Sequence, residues 1–248
     1  MNRAAENSNS ANKAFLRALE MTAAIPSAPS RIFPTAIEGI AEDFGAELAL
    51  LSERECLTYR ALAERANRFA RWALNQGLAK GDIACLMMPN RPEYMAIWLG
   101  LTSVGVIVSL INPNLRGASL AHCVNIVAPK HVIVAAEVSE EFRDAATRLA
   151  CRPQLWSHGD NGPFERVDRA VERFSGERLT QSERRTVTIA DRALLIYTSG
   201  TTGLPKAANI SHYRLLQWTR RSRQSRKCER FCTLSGRRAF RGGDDGTS

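Results

Sequence analysis

The residues of this chain whose order alone implies a chemistry lie between positions 193 and 218, in ALLIYTSGTTGLPKAANISHYRLLQW. Within it, Thr198, Ser199, Thr201 and Thr202 set four hydroxyls around Gly200 and Gly203, and Pro205 and Lys206 follow. Glycines permit positive φ and close backbone approach, so successive N–H groups can converge into an anion-binding nest. The hydroxyls add donors, and Lys206 adds a point charge of the kind that phosphate oxygens attract. A polyphosphate is the ligand such a loop suits. It is not a Walker loop, because Pro205 stands five residues after Gly200, where that pattern needs a second glycine.

The loop needs elements to hold it. Residues 193–198 form a short apolar run that reads as a buried strand, and 207–210 can return beside it antiparallel. Ser211 is a suitable N-cap for a helix that begins at His212. A histidine at such a helix start needs no chemical role. Upstream, Tyr59, Leu62, Ala66, Phe69, Ala70, Ala73 and Leu74 recur at three- and four-residue steps, which predicts a helix from Thr58 with Gly77 as its stop.

Strand and helix then alternate. Strands are expected at 82–88, 106–110 and 131–135. Helices are expected from Pro92 to about 104, at about 119–127, and at 139–150, the last with a Ser139 cap and acidic first-turn residues. Residues 151–192 are less regular, with a possible helix at 164–174 and a polar connector beyond it. Such alternation implies an α/β fold, a mostly parallel sheet with flanking helices. The uncharged stretch 94–115 has the length of a membrane span, but its glycines, Asn112-Pro113-Asn114 and β-branched second half predict a buried helix followed by a buried strand.

The 248 residues carry a net charge of +9. Nine Lys and Arg against Glu229, Asp244 and Asp245 place most of that excess in residues 219–248. The body is nearly balanced and shows no basic face with readout elements, so no specific nucleic-acid partner is expected. The cysteines at 56, 85, 123, 151, 228 and 232 are scattered without paired CxxC motifs, which predicts free thiols in a reducing cytoplasm and no metal site. Residues 1–30 are rich in Asn, Ser, Ala and Pro, and read as a loosely held leader with one modest amphipathic piece around 14–21, which does not read as a secretory signal.

YTSGTTGLPKAA, from Tyr197, closely resembles the ATP-binding signature of the adenylate-forming (AMP-binding) enzymes, the superfamily of acyl-CoA synthetases, luciferases and peptide-synthetase adenylation domains. LTYRALAERANRFARWALNQGLAKGD at 57–82 is similar to that family's early helix and Gly-Asp turn. INPNLRGASLAHCVNIVAPKHVIV at 111–134 resembles very-long-chain acyl-CoA synthetases of the fatty-acid-transport-protein type. The resemblance implies a fatty-acid CoA ligase: the acid attacks the ATP α-phosphate to give acyl-AMP and pyrophosphate, and CoA then displaces AMP. Thr198, Ser199, Gly200, Thr201, Thr202, Gly203 and Lys206 would hold the β- and γ-phosphates, and Mg2+ would accompany ATP.

The likeness stops after Trp218. The family's later motifs have no counterpart here: an aromatic-Thr-Glu motif for adenine and magnesium, a ribose-binding aspartate, a hinge, and a C-terminal domain with a catalytic lysine. The expectation is an incomplete N-terminal domain of the adenylate-forming fold at 31–218, inactive alone, with no catalytic residue to assign. A basic, disordered tail would follow at 219–248. That tail has two readings. It is a basic arm for anionic lipid, which would make the chain a nucleotide- or lipid-binding module with peripheral membrane contact; or it is the product of a shifted frame, which accounts for both the abrupt composition change and the missing motifs.

Overall fold

The computed structural model describes residues 22–53, 55–198 and 204–222, with the main chain alone for 220–222. The expected amphipathic piece at 14–21 and the tail beyond 222 lie outside the described residues. Two units divide the chain, Pro29–Tyr213 and, separately, Met1–Ala28 with Arg214–Ser248. In the second, Ser27 Oγ donates to Ala24 O (2.8 Å), and the Arg214 guanidinium sits over the Trp218 ring at 5.9 Å.

The first unit opens with α1 (Phe33–Phe44), started by Pro34, and an antiparallel pair, β1 (Leu48–Leu51) and β2 (Cys56–Thr58). The sequence offered no element here. Thr58 then caps α2 (Tyr59–Asn75): its hydroxyl accepts from Ala61 N at 3.2 Å. Gly77, at φ +69°, closes the helix as expected, with Gly77 N on Leu74 O and Leu78 N on Ala73 O. The helix buries Leu62, Phe69, Ala70, Trp72 and Ala73.

Alternation follows through β3 (Ile83–Met87), α3 (Pro92–Ser103), β4 (Ile107–Ile111), α4 (Gly117–Asn125), β5 (His131–Ala135) and α5 (Ser139–Ala146). The membrane-length stretch is α3, buried almost all round, a turn at Gly105, and β4. No helix among the described residues is long and apolar enough to cross a membrane. Then come β6 (Gln154–His158), β7 (Glu165–Arg166), α6 (Val167–Ala170), β8 (Arg192–Thr198), β9 (Lys206–Ser211) and α7 (His212–Ser222).

Three expectations need correction. The helix at 164–174 is a two-residue strand and one helical turn, because Phe164 N is held by Ser157 Oγ (3.1 Å) and Glu165 and Arg166 pair with Trp156 and Ser157. Ser139 does not cap α5; its hydroxyl donates backwards to Ala136 O (2.7 Å), and Val138 is the cap residue. That helix ends at Ala146, short of 150. The irregular stretch also hides β6, whose polar ends obscure a strand that pairs with β5 throughout.

The sheet order is β7-β6-β5-β3-β4-β8-β9, parallel except for β9. The chain starts in the middle at β3, steps to β4, recrosses to β5 and runs out to β7, then returns for β8 beside β4. Right-handed crossovers in opposite directions place α3 and α4 on opposite faces. Against α3 lie α1 and α2, and against α4 lies α5. The crossing of α2 with α3 requires Gly100: a Cβ there would stand 2.2 Å from Ala66 O and 2.8 Å from Phe69 Cβ. Beneath α2, Trp72 meets Trp156 and His131 edge-on at 5.2 and 5.6 Å, and Trp156 Nε1 donates to His131 Nδ1 (3.0 Å). Burial holds the His131 pKa below its ordinary value, which keeps Nδ1 an acceptor.

Candidate functional site

The parallel strands end their carboxyl sides together, and in open α/β sheets ligands bind beyond those ends. β8 reaches that edge at Thr198, beside β4, and returns as β9 with Thr198 opposite Lys206 and Tyr197 opposite Ala207. Cross-strand partners share a face of the sheet, so the threonine and lysine predicted for the site stand side by side, both exposed, where the loop leaves and re-enters. Ser199, Gly200, Thr201, Thr202 and Gly203 lie outside the described residues.

The stems of this hairpin are tied to α4. Tyr197 OH donates to Cys123 O (2.6 Å), so its oxygen accepts from Ser109 Oγ (2.7 Å), and β4, β8 and α4 meet in one chain of hydrogen bonds. On the returning stem, His122 Nε2 lies 3.1 Å from Pro205 O. A carbonyl only accepts, so that nitrogen carries the proton. Burial raises the pKa of Tyr197, pushes the Cys85 thiol up to about 12 and pushes the Cys123 thiol up to about 11. These groups stay neutral at pH 7 and serve as donors, acceptors and packing, not as nucleophiles.

The chain enters β8 through a polar connector, and this too is held from a distance. Arg71 points all five of its N–H groups at acceptors: Glu183 carboxylate oxygens (2.7 and 3.0 Å), Ser175 O (2.7 Å), Glu177 O (2.6 Å) and Arg178 O (3.2 Å). The Arg71 guanidinium holds the Glu183 carboxyl down at about 2. Asn67 Nδ2 adds a bond to Gly176 O (3.0 Å). Nearer β8, Lys80 Nζ reaches Thr186 O (2.9 Å) and Asp191 Oδ2 (2.7 Å), and the same carboxylate accepts from Thr188 N (2.8 Å). Burial would raise the Asp191 pKa, but Lys80 and Thr188 together leave it lowered.

His212 follows the hairpin. Its backbone N–H donates to Asp191 O (3.1 Å), its side chain is fully buried, and neither ring nitrogen has a partner at hydrogen-bonding geometry among the described residues. Burial pulls its pKa down to about 4 against the opposing pull of Asp191 and the nearby Thr102 backbone. The ring is neutral at pH 7. Among the described residues no three His, Cys, Asp or Glu side chains gather as metal ligands, and Cys56, Cys85, Cys123 and Cys151 are free thiols.

Of the residues the sequence singles out, Thr198 and Lys206 are paired across the hairpin, while the groups that support their strands were not foreseen. Tyr197 lies inside the recognised motif, but its partners Ser109 and Cys123 come from β4 and α4. His122 sits in a segment that reads as ordinary helix, and no periodicity distinguishes it.

The chain matches the family described as AMP-binding enzyme over residues 37–235. It is 35% identical over 172 residues to long-chain fatty acid transport protein 6 of Mus musculus, covering 68% of this chain and 28% of that protein. To long-chain fatty acid transport protein 2 of Rattus norvegicus it is 37% identical over 179 residues, covering 67% and 28%. Its fold is similar to the crystal structure of the anthranilate CoA ligase AuaEII in complex with anthranoyl-AMP, with a TM-score of 0.68 at 18% identity over 74% of this chain and 35% of that one. The chain thus spans about 28% of the length of the curated relatives it matches.

Proposed function

Because the chain belongs to the AMP-binding enzyme family, we propose that the hairpin closed by Thr198 and Lys206 holds the β- and γ-phosphates of ATP in a ligase that activates a long- or very-long-chain fatty acid. In that reaction a carboxylate oxygen of the acid bonds to the α-phosphorus while the bond to pyrophosphate breaks. The CoA sulfur then bonds to the acyl carbon and AMP leaves. The hairpin's part is to bind and orient: its hydroxyls and Lys206 take up the charge of the departing pyrophosphate, and positioning with charge stabilisation supplies most of the catalysis in such transfers.

The observation that carries this reading is the register of β8 on β9, which returns Lys206 beside Thr198 across the motif. The fatty-acid preference rests on the similarity to proteins named long-chain fatty acid transport proteins. Magnesium is expected with ATP in this family, and among the described residues no three His, Cys, Asp or Glu side chains gather to hold it. No step is routed through a metal.

The activity of this chain alone is a separate matter. We propose that residues 1–248 by themselves bind ATP without completing adenylation. Calorimetric titration of the purified chain with ATP tests the first part. Saturable binding that weakens about tenfold in Lys206→Ala is expected for loss of one charge-assisted contact; no binding at millimolar ATP would overturn it. ATP–pyrophosphate exchange with long-chain acids tests the second, and turnover well above background would refute inactivity.

A further inference from the structure

We propose that His122 and Tyr197 are positioning residues for the phosphate loop, and that the carboxyl end of α4 fixes both of its stems through two main-chain carbonyls. The proposal rests on the reading of 198–206 as the ATP phosphate loop, but its geometry stands apart from that reading.

The β8–β9 ladder ends at the pair Thr198–Lys206. Pro205, one residue beyond, has no N–H, so its carbonyl is the one main-chain hydrogen-bonding group with which it can be held. That carbonyl is 3.1 Å from His122 Nε2. On the outgoing stem the Tyr197 hydroxyl donates to Cys123 O at 2.6 Å. The two contacts come from consecutive residues of one helix and grip the hairpin on either side of the loop.

The end of α4 is built to allow this. The Val127 N–H that would bond Cys123 O in a longer helix turns to Val124 O instead (3.3 Å), as does Ala128 N (3.1 Å). A helix leaves its last carbonyls without intrahelical partners, and here the Tyr197 phenol takes one of them. Ser109, fully buried on β4, donates into the same phenol oxygen, so Tyr197 is oriented from both sides and the donated bond to Cys123 is reinforced. The stem separation is therefore set by a rigid helix rather than by the loop itself. Stems held in place before a ligand arrives lower the ordering cost that binding must meet.

The test combines His122→Ala, His122→Gln and Tyr197→Phe in this chain, read by hydrogen exchange of the peptide covering 204–210 and by ATP titration. Glutamine offers an N–H in place of Nε2, so His122→Gln should keep the exchange protection and ATP affinity of the parent. His122→Ala and Tyr197→Phe should each speed exchange at the hairpin and weaken ATP binding about three- to tenfold, the range of one lost hydrogen bond. If His122→Ala does not fold, as judged by circular dichroism, His122→Leu takes its place as a space-filling variant without a donor. Exchange unchanged in the donorless variant, or equal loss in His122→Gln, would overturn the clamp. If the parent chain binds no ATP, the functional reading fails on its own, and the exchange contrast between donor and donorless variants still decides the clamp.

Discussion

The connector at residues 174–191 and the hairpin stems at 198 and 204–211 flank the same strand, one at each end of β8, and they are held by different means. The connector buries only Leu179, Val187 and Ile189 along its length, and is otherwise held by Arg71, Asn67 and Lys80, residues about a hundred positions earlier in the chain. Those polar side chains bond its carbonyls and so fix its path. The stems carry a regular ladder and borrow two further bonds from the end of α4. Residues that meet a ligand must lie close together and are often written contiguously, as the stretch proposed for the phosphates, Thr198 to Lys206, is. Residues that route the chain can be supplied from anywhere, and here they are.

The most severe way to break this contrast is Arg71→Ala. It strips five acceptors at once, with Arg71 only 10% exposed, and should cost on the order of 3 kcal/mol or more, read as a shift in the urea midpoint. A loss below about 1 kcal/mol would mean that the connector is held by something other than this arginine.

Acid separates the two regions further. His212 has a folded pKa of about 4, below its unfolded value of about 6.5. Between those values the unfolded chain binds the additional proton, so this contribution is present above pH 6.5 and is lost as pH falls toward 4, on the order of 3 kcal/mol. Glu183, folded at about 2 against an ordinary 4.5, loses its contribution in a lower window, from 4.5 down to 2. Stability measured against pH should fall in these two windows, with His212→Gln flattening the upper one and Arg71→Ala the lower. A single acid transition untouched by either variant would contradict the assignment.

Two smaller effects sharpen the comparison. Lys80→Ala removes a pair whose lysine is 42% exposed, and should lower stability by at most about 1 kcal/mol in thermal or urea melts. Lys206→Ala should change stability by no more than about 0.5 kcal/mol, since it touches no packing, while still weakening ATP binding. A Lys206 variant that destabilises the fold as Arg71→Ala does would erase the distinction between a ligand group and a routing group.

Much of the sheet was legible because its signals are local. Thr58 and Gly77 bracket α2, Pro92 opens α3, and the strands at 83–87, 107–111 and 131–135 are short apolar runs between turns. β6 was not, because Gln154 and His158 make its ends polar and only its pairing with β5 defines it. The pattern at 164–174 suggested a helix, but Ser157 and the edge of β6 hold its first residues extended. Around the candidate site, sequence order indicated the two flanking strands, β8 and β9. It gave no sign of Ser109, His122 or Cys123 as supports, since hydrogen bonds from a side chain to a carbonyl or a second side chain 74 to 88 residues away leave no periodic trace.

The place of β8 in the sheet also bears on the time course of folding. Val108 and Leu194 are neighbours in the finished structure, yet β5, β6 and β7 lie between them along the chain, on the other side of β3. The β8–β9 hairpin can zip locally, but its docking on β4 must close a very long segment, and such non-local closures are slow. The inner strands β3, β4 and β5 should therefore be protected first in a pulse-labelled refolding experiment, and the amides of β8 and β9 last. The paired stems at Thr198 and Lys206 would then be the final part of the sheet to reach their native spacing, so that any ligand they hold meets only chains whose scaffold is already built.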